Sequence, residues 1–107
     1  MFFQSIFREY MEISGIDPLH EAPAMGDFAE NYLKPLEAKA DLMETATIWV
    51  QTGGDLVQTA DRLDCHPNTV RYRINRIREL TEPRSTVTDF QLYERLSAAL
   101  KVRKLNE

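Results

Sequence analysis

The chain has 107 residues and a net charge of −4, with 43% hydrophobic and 28% charged residues. This length suits one domain with a modest core, and no apolar run approaches the roughly 18 residues that a membrane span needs. The single cysteine excludes an internal disulfide and is typical of a reducing compartment, so we expect a cytoplasmic protein with no membrane partner.

The charge is distributed unevenly along the chain. Residues 1–33 carry a net charge of −5, residues 34–65 carry −3 and residues 85–107 carry +1, whereas residues 66–84 carry +3 because five arginines outnumber two glutamates. Local charge, more than total charge, decides whether a surface attracts phosphate groups. Residues 66–84 are therefore a candidate nucleic-acid surface in an otherwise acidic protein.

An amphipathic helix is predicted for residues 2–14, where Phe3, Ile6, Phe7 and Tyr10 lie near one helical face. This face is either a dimerisation surface, the remnant of a connection to another domain, or a surface that packs on the core. Two Xaa-Pro pairs predict a linker that follows it. We therefore divide the chain into two parts, an amphipathic helix with its linker (residues 1–25) and a helical domain (residues 26–107).

Two further helices are predicted before the basic region. Asp27 can cap a short helix over residues 28–33, which Pro35 ends or restarts. A stronger helix covers residues 41–51 and ends at the Gly53-Gly54 pair, where glycine permits a left-handed backbone. Its apolar stripe contains Leu42, Met43, Ala46, Trp49 and Val50, so the single tryptophan is expected to anchor the core.

Residues 55–80 predict two helices joined by a tight turn. Asp55 caps the first helix, and Pro67 suits the first position of the second because its missing N–H would be unpaired there. Asp64 tolerates the left-handed conformation that such turns often require. The buried stripe of the first helix contains Leu56, Val57, Ala60 and Leu63, and that of the second contains Val70, Ile74 and Ile77, with Leu80 at its edge.

This spacing is typical of a helix-turn-helix motif, which requires a small residue where the two helices meet and apolar residues in the turn. Ala60 and Cys65 satisfy these requirements. A final helix follows a capping-box sequence at residues 88–91. The predicted fold is all-α, a tri-helical helix-turn-helix DNA-binding domain with an additional N-terminal helix and a C-terminal helix.

The residues of this motif resemble the C-terminal helix-turn-helix domain of the PucR family, which includes the carbohydrate diacid regulators. The resemblance lies in Thr59-Ala60, Leu63, His66 and above all Asn68-Thr69-Val70-Arg71-Tyr72-Arg73-Ile74, and it extends over roughly residues 28–105. It implies a bacterial transcription regulator that binds DNA through this domain. The chain departs from the family pattern at Pro67, where arginine is frequent, and at Glu82-Pro83-Arg84, where the family usually has glycine and an apolar residue.

The outward face of the second helix supplies the candidate DNA-binding residues. Amide side chains can bond adenine in two places and arginine can bond guanine likewise, so base contacts are assigned to Asn68, Arg71, Tyr72 and Asn75. Contacts to phosphate are assigned to His66, Thr69, Arg76 and Arg78. Arg73 lies beside the buried stripe and has either a structural role or a role in DNA binding.

One recognition helix reads only a few base pairs, so a homodimer on double-stranded DNA is expected. The resemblance implies an upstream sensor domain in a longer protein. One alternative is a helical protein-interaction or dimerisation module with little DNA affinity, which the acidic total and Pro67 allow. A second alternative, RNA binding, fits less well because Tyr72 is the only aromatic residue on the basic face.

The sequence predicts no enzyme. It contains no phosphate-binding glycine loop, nucleophile elbow or histidine-containing triad. Asp64, Cys65 and His66 offer three types of metal ligand, but adjacent side chains diverge and no second ligand pair follows, so neither a metal nor another cofactor is expected.

Overall fold

The computed structural model describes residues 25–105, which fold into five helices without any strand. The predicted all-α fold with helices flanking a tri-helical unit is confirmed. The helix predicted for residues 2–14 and the linker after it lie outside the described residues. The helices are α1 (Met25–Glu37), α2 (Ala40–Gln51), α3 (Leu56–Leu63), α4 (Pro67–Thr81) and α5 (Asp89–Leu105).

One hydrophobic core joins all five helices. Helices α2, α3 and α4 pack on one another, while α1 packs mainly against α5 and also contacts α4. The terminal helices α1 and α5 thus support the tri-helical unit from outside. The fully or almost fully buried apolar side chains include Phe28, Leu33 and Leu36 of α1, Ala46 and Trp49 of α2, Ala60 of α3, Val70, Ile74 and Ile77 of α4, and Leu92, Leu96 and Ala99 of α5.

Helix α1 is longer than predicted. The predicted helix covered only residues 28–33, and Pro35 was expected to end or restart it. The observed helix continues through Pro35 to Glu37, and Asp27 lies in its first turn. Leu33 and Leu36, on either side of the proline, are fully buried. A proline inside a helix costs about 3 kcal/mol, whereas burying two leucines contributes roughly 3–6 kcal/mol. Tertiary packing therefore overrides the local preference to stop.

The turn between α2 and α3 forms as predicted. Gly53 and Gly54 both have positive φ, at 72° and 85°. Their amides bond back to α2, with Gly54 N donating to the Trp49 carbonyl at 2.8 Å, so carbonyls at the helix end are satisfied. Asp55 then caps α3, because its Oδ1 accepts from the Gln58 amide at 2.9 Å.

One predicted core position of α3 is wrong. Val57 is 67% exposed, whereas Thr59 is fully buried. The threonine hydroxyl donates to the Asp55 carbonyl at 2.6 Å, and it lies 2.9 Å from the Thr52 hydroxyl. Hydrogen bonds inside the protein offset the cost of removing the threonine hydroxyl from water. A threonine can therefore occupy a core position that the apolar periodicity does not predict.

A buried polar network fixes the path from α4 into α5. Glu82 accepts a hydrogen bond from the Tyr32 hydroxyl at 2.5 Å and one from Arg95 Nη1 at 2.8 Å. Burial raises the pKa of Glu82, although hydrogen bonds from Tyr32 and Ser85 oppose the shift, and burial together with the Glu82 charge raises the pKa of Tyr32. Glu82, which departs from the family pattern, thus connects α1, the end of α4 and α5.

The start of α5 has the predicted capping box. The Thr88 hydroxyl accepts from the Gln91 amide at 3.1 Å, and the Gln91 side chain accepts from the Thr88 amide at 2.9 Å. These reciprocal bonds satisfy two donors that a helix start otherwise leaves unpaired. They fix where α5 begins, and hence the place of Asp89 in its first turn.

Candidate nucleic-acid interface

The turn between α3 and α4 determines how α4 is presented. Asp64 adopts the predicted left-handed conformation, with φ 55° and ψ 48°. Cys65 donates its amide to the Ala60 carbonyl at 3.0 Å and packs its side chain against the core. The cysteine therefore acts as the small apolar plug that the motif requires.

His66 caps α4, and Pro67 occupies its first turn. Nδ1 of His66 accepts from the Asn68 amide at 3.0 Å. An imidazole that accepts at Nδ1 carries its proton on Nε2, so the exposed ring retains one donor for an outside ligand. The structure thus gives His66 a capping role, while the phosphate contact assigned to it stays a prediction.

Helix α4 has two contrasting faces. Val70, Ile74 and Ile77 are fully buried, as their spacing of four and three residues predicts. Asn68 and Asn75 are exposed on the other side, and Tyr72 is 69% exposed. The exposed side chains of these three residues therefore present hydrogen-bonding groups that a partner can reach.

The predicted phosphate contacts on α4 differ in their exposure. Thr69 and Arg76 are half-buried, so only part of each side chain is accessible. Arg76 Nη1 lies 4.0 Å from Glu79 Oε2, too far for a strong hydrogen bond. Arg76 therefore remains available to an anion.

Two of the predicted DNA-binding arginines share one carboxylate. Arg71 Nη1 donates to Asp89 Oδ2 at 2.8 Å, and Arg78 Nη2 donates to Asp89 Oδ1. Arg78 Nη1 also donates to the Asn75 side-chain oxygen at 2.8 Å. We call Arg71, Asp89 and Arg78 the Asp89 bridge. It ties the second and last turns of α4 to the first turn of α5.

Electrostatics keep Asp89 ionised. Partial burial acts to raise the pKa of Asp89, but hydrogen bonds and charge from Arg71 and Arg78 outweigh burial, and the pKa lies below its usual value. The carboxylate is therefore negative at neutral pH. The bridge as a whole has two positive charges and one negative charge.

Sequence reasoning missed Asp89 as a site residue. In the sequence, Asp89 stands out only as an acidic residue in the first turn of a capped helix. A favourable interaction with the helix dipole is enough to explain an acidic residue there. Its approach to Arg71 and Arg78 depends on how α5 packs against the rest of the fold.

Arg73 and Trp49 point to the protein interior. Arg73 Nη1 lies 3.4 Å from Thr45 Oγ1, and Thr45 is a fully buried residue of α2. This contact favours the structural role left open for Arg73. Trp49 is buried and packs edge-on against Tyr93, with ring centroids 5.8 Å apart, so its predicted role as a core anchor is confirmed.

Within residues 25–105, no group of three histidine, cysteine, aspartate or glutamate side chains is placed to hold a metal ion. No helix in the same part of the chain is long and apolar enough to cross a membrane.

Comparison with known proteins identifies the domain. The family model of the PucR C-terminal helix-turn-helix domain matches residues 42–102, which is more than half of the chain. The chain belongs to this family. The PucR-type match covers most of α2, all of α3 and α4 and most of α5, so it contains all three members of the Asp89 bridge.

Similar proteins occur in several bacteria. An uncharacterised protein of Mycobacterium tuberculosis and one of Mycobacterium bovis are each 37% identical over 70 residues, which is 59% of this chain and 17% of each relative. An uncharacterised protein of Haemophilus influenzae is 43% identical over 51 residues, or 46% of this chain and 14% of the relative. No solved structure matches the chain significantly. The PucR-type domain thus spans less than a fifth of the length of these relatives.

Proposed function

We propose that this chain is a sequence-specific DNA-binding module of a bacterial transcription regulator, with α4 as the recognition helix in the major groove. The observation that carries the proposal is the two-sided character of α4. Its inner face is fully buried, while its outer side presents Asn68, Tyr72 and Asn75 beside a group of arginines. Such a helix, held on two supporting helices, has the width and the hydrogen-bonding groups that major-groove recognition needs.

The proposed contacts divide into two groups. Asn68, Arg71, Tyr72 and Asn75 lie on the outer side or flank of α4 and would meet base edges, which carry the sequence information. His66, Thr69, Arg76 and Arg78 would hold phosphates and set the register of the helix on the duplex. We assign Arg73 a structural role because its guanidinium group contacts Thr45.

We further propose that the protein acts as a homodimer in the bacterial cytoplasm, where the chromosome lies. A single helix reads only a few base pairs, and two copies separated by about one helical turn of DNA would supply the affinity that a regulator needs. The much greater length of the similar proteins is consistent with a sensor domain elsewhere in the same polypeptide.

Selection from a random duplex library at near-physiological salt tests this function. The wild type is expected to enrich one motif with two-fold symmetry, and an Arg71→Ala, Asn75→Ala double variant is expected to lose it. Arg84→Ala is the matched control, because it removes an exposed arginine that lies outside α4. It should enrich the same motif as the wild type.

Three outcomes would overturn the proposal. Equal enrichment of the motif by the wild type and the double variant would show that α4 does not read bases through Arg71 and Asn75. A wild type that enriches no motif, even as an artificially linked dimer, would favour a protein-interaction module. A preference for single-stranded RNA over duplex DNA in a parallel binding assay would favour the RNA alternative.

A further inference from the structure

We propose that Asp89 is a specificity-determining residue of the DNA-binding surface. Its carboxylate orients Arg71 for base reading and disfavours indiscriminate phosphate binding by Arg71 and Arg78. This inference rests on the function proposed above and deepens it, because it assigns a role to a residue outside the recognition helix.

The geometry of the Asp89 bridge supports the orienting role. Arginine has a long, flexible side chain, and fixing it in one conformation costs conformational entropy. Asp89 Oδ2 engages one terminal nitrogen of Arg71, and the Arg71 side chain stays 42% exposed. The remaining donors of Arg71 can therefore reach a base from a side chain that is already ordered, which lowers the entropic cost of binding.

Arg78 strengthens this arrangement. It donates to the other oxygen of Asp89 and, through Nη1, to Asn75 at 2.8 Å. Asn75 is itself a proposed base contact, so the same carboxylate indirectly orders two proposed reading residues. The bridge thus links Arg71 and Asn75, which lie one turn apart on α4.

The charge of Asp89 supports the discriminating role. Non-specific DNA binding depends almost entirely on phosphate contacts, and a phosphate that engaged Arg71 or Arg78 would displace the carboxylate that already binds them. The negative charge of Asp89 also repels phosphate. A specific site compensates for this repulsion through base contacts, whereas a non-specific site does not. Asp89 therefore weakens non-specific binding more than specific binding.

Glu79 of α4 provides a matched control. Like Asp89 of α5 it is an exposed acidic residue, but it pairs with Arg76, at 4.0 Å, and not with Arg71 or Arg78. Glu79→Gln removes one negative charge from the surface but leaves the Asp89 contact that fixes the Arg71 side chain. A general charge effect should appear equally in Glu79→Gln and Asp89→Asn.

The test compares the 107-residue wild-type chain with its Asp89→Asn and Glu79→Gln variants. Dissociation constants are measured at several salt concentrations for a duplex carrying the motif selected by the wild type and for a scrambled duplex of equal length. For Asp89→Asn we expect tighter binding to the scrambled duplex, a salt slope steeper by up to about 2 because two arginines become free for phosphate, and a ratio of specific to non-specific affinity about tenfold lower. For Glu79→Gln both affinities should rise by the same factor.

Folding and the route of action are checked in parallel. Thermal unfolding establishes that each variant is folded at the assay temperature. In an Arg71→Ala background, Asp89→Asn should lower the affinity ratio by much less than it does in the wild type. A full tenfold drop in that background would contradict an action through Arg71. Since the Arg71–Asp89 pair is exposed, we expect Asp89→Asn to remain folded at the assay temperature.

The two proposals fail in different ways. A wild type that binds no duplex selectively overturns the proposed function and this inference together. A wild type that binds selectively, with an Asp89→Asn ratio equal to that of the wild type or Glu79→Gln, overturns the role of Asp89 alone.

Discussion

Two arginine–carboxylate networks differ widely in solvent exposure. The Glu82 and Arg95 side chains are 5% and 7% exposed, whereas those of Asp89 and Arg71 are 46% and 42% exposed. In both pairs a guanidinium nitrogen lies 2.8 Å from a carboxylate oxygen. The buried pair has no access to another partner, whereas the exposed pair leaves further guanidinium donors of Arg71 accessible from outside. Burial, more than pair geometry, therefore separates a contact confined to the protein interior from one that a partner can reach.

The largest expected effect is on the buried network. Glu82→Ala leaves the Arg95 charge and the Tyr32 hydroxyl without their shared acceptor, and breaking such a pair costs about 3–5 kcal/mol of unfolding free energy. Urea denaturation followed by circular dichroism measures the loss. Glu94→Ala, which removes a half-buried glutamate from α5, is expected to cost less than about 1 kcal/mol. Similar losses in the two variants would show that the buried network does not hold the helices together.

The second effect concerns the exposed network and appears in binding. Arg71→Ala should weaken binding to the selected motif by about 1–3 kcal/mol, the usual contribution of a well-placed arginine–guanine pair. The free energy of unfolding should change by less than about 1 kcal/mol, because exposed ion pairs contribute little. Fluorescence anisotropy and urea denaturation measure the two quantities. A large loss of unfolding free energy with unchanged base preference would show that Arg71 has a structural role and does not read bases.

The third effect again concerns the buried side. Tyr32→Phe removes the hydroxyl that donates to Glu82 at 2.5 Å but leaves the aromatic ring in place against Phe28. Since a hydrogen bond to a charged group contributes about 1.5–3 kcal/mol, this variant should be less destabilised than Glu82→Ala. Its unfolding midpoint in urea should fall without any change in the selected DNA motif. A changed motif would mean that the buried network also shapes the reading surface.

The smallest effect is the pH dependence that Asp89 contributes to stability. Its pKa in the folded protein lies below the ordinary 3.8 because Arg71 and Arg78 overcome the opposing effect of burial. The stabilisation is therefore present above pH 3.8 and is lost as pH falls through the lower pKa of the folded state. Solvent screening limits it to less than about 1 kcal/mol. The difference in unfolding free energy between wild type and Asp89→Asn should shrink as pH falls from 5 toward 3. A constant difference would contradict ion pairing of Asp89 with Arg71 and Arg78.

Much of the fold could be predicted because local rules and the tertiary structure agree. The buried stripe of Val70, Ile74 and Ile77, the cap at Asp55 and the left-handed Asp64 each follow from the chemistry of a few neighbouring residues. Two errors arose where a distant contact outweighed a local preference. Packing of Leu36 carries α1 through Pro35, and an internal hydroxyl pair lets Thr59 replace Val57 in the core.

The candidate site was predictable only in part. The outer face of α4 follows from helical periodicity, and the structure places Asn68, Tyr72 and Asn75 there. The partners of Arg71 and Arg95 could not be predicted, because Asp89 and Glu82 lie 18 and 13 residues away along the chain and no repeating pattern marks either contact. Long-range pairing of this kind depends on how α5 docks on the other helices.

The measurement that tests α4 as a base-reading helix most directly combines protein and DNA variants in one cycle. Each purine of the selected motif is replaced in turn by its 7-deaza analogue, which removes the N7 acceptor from the major groove and leaves base pairing intact. One or more replacements should weaken binding of the wild type by about tenfold and have little further effect on Arg71→Ala or Asn75→Ala, because those variants lack the donor. Equal losses in the wild type and in both variants at every purine would contradict recognition of the major groove by α4.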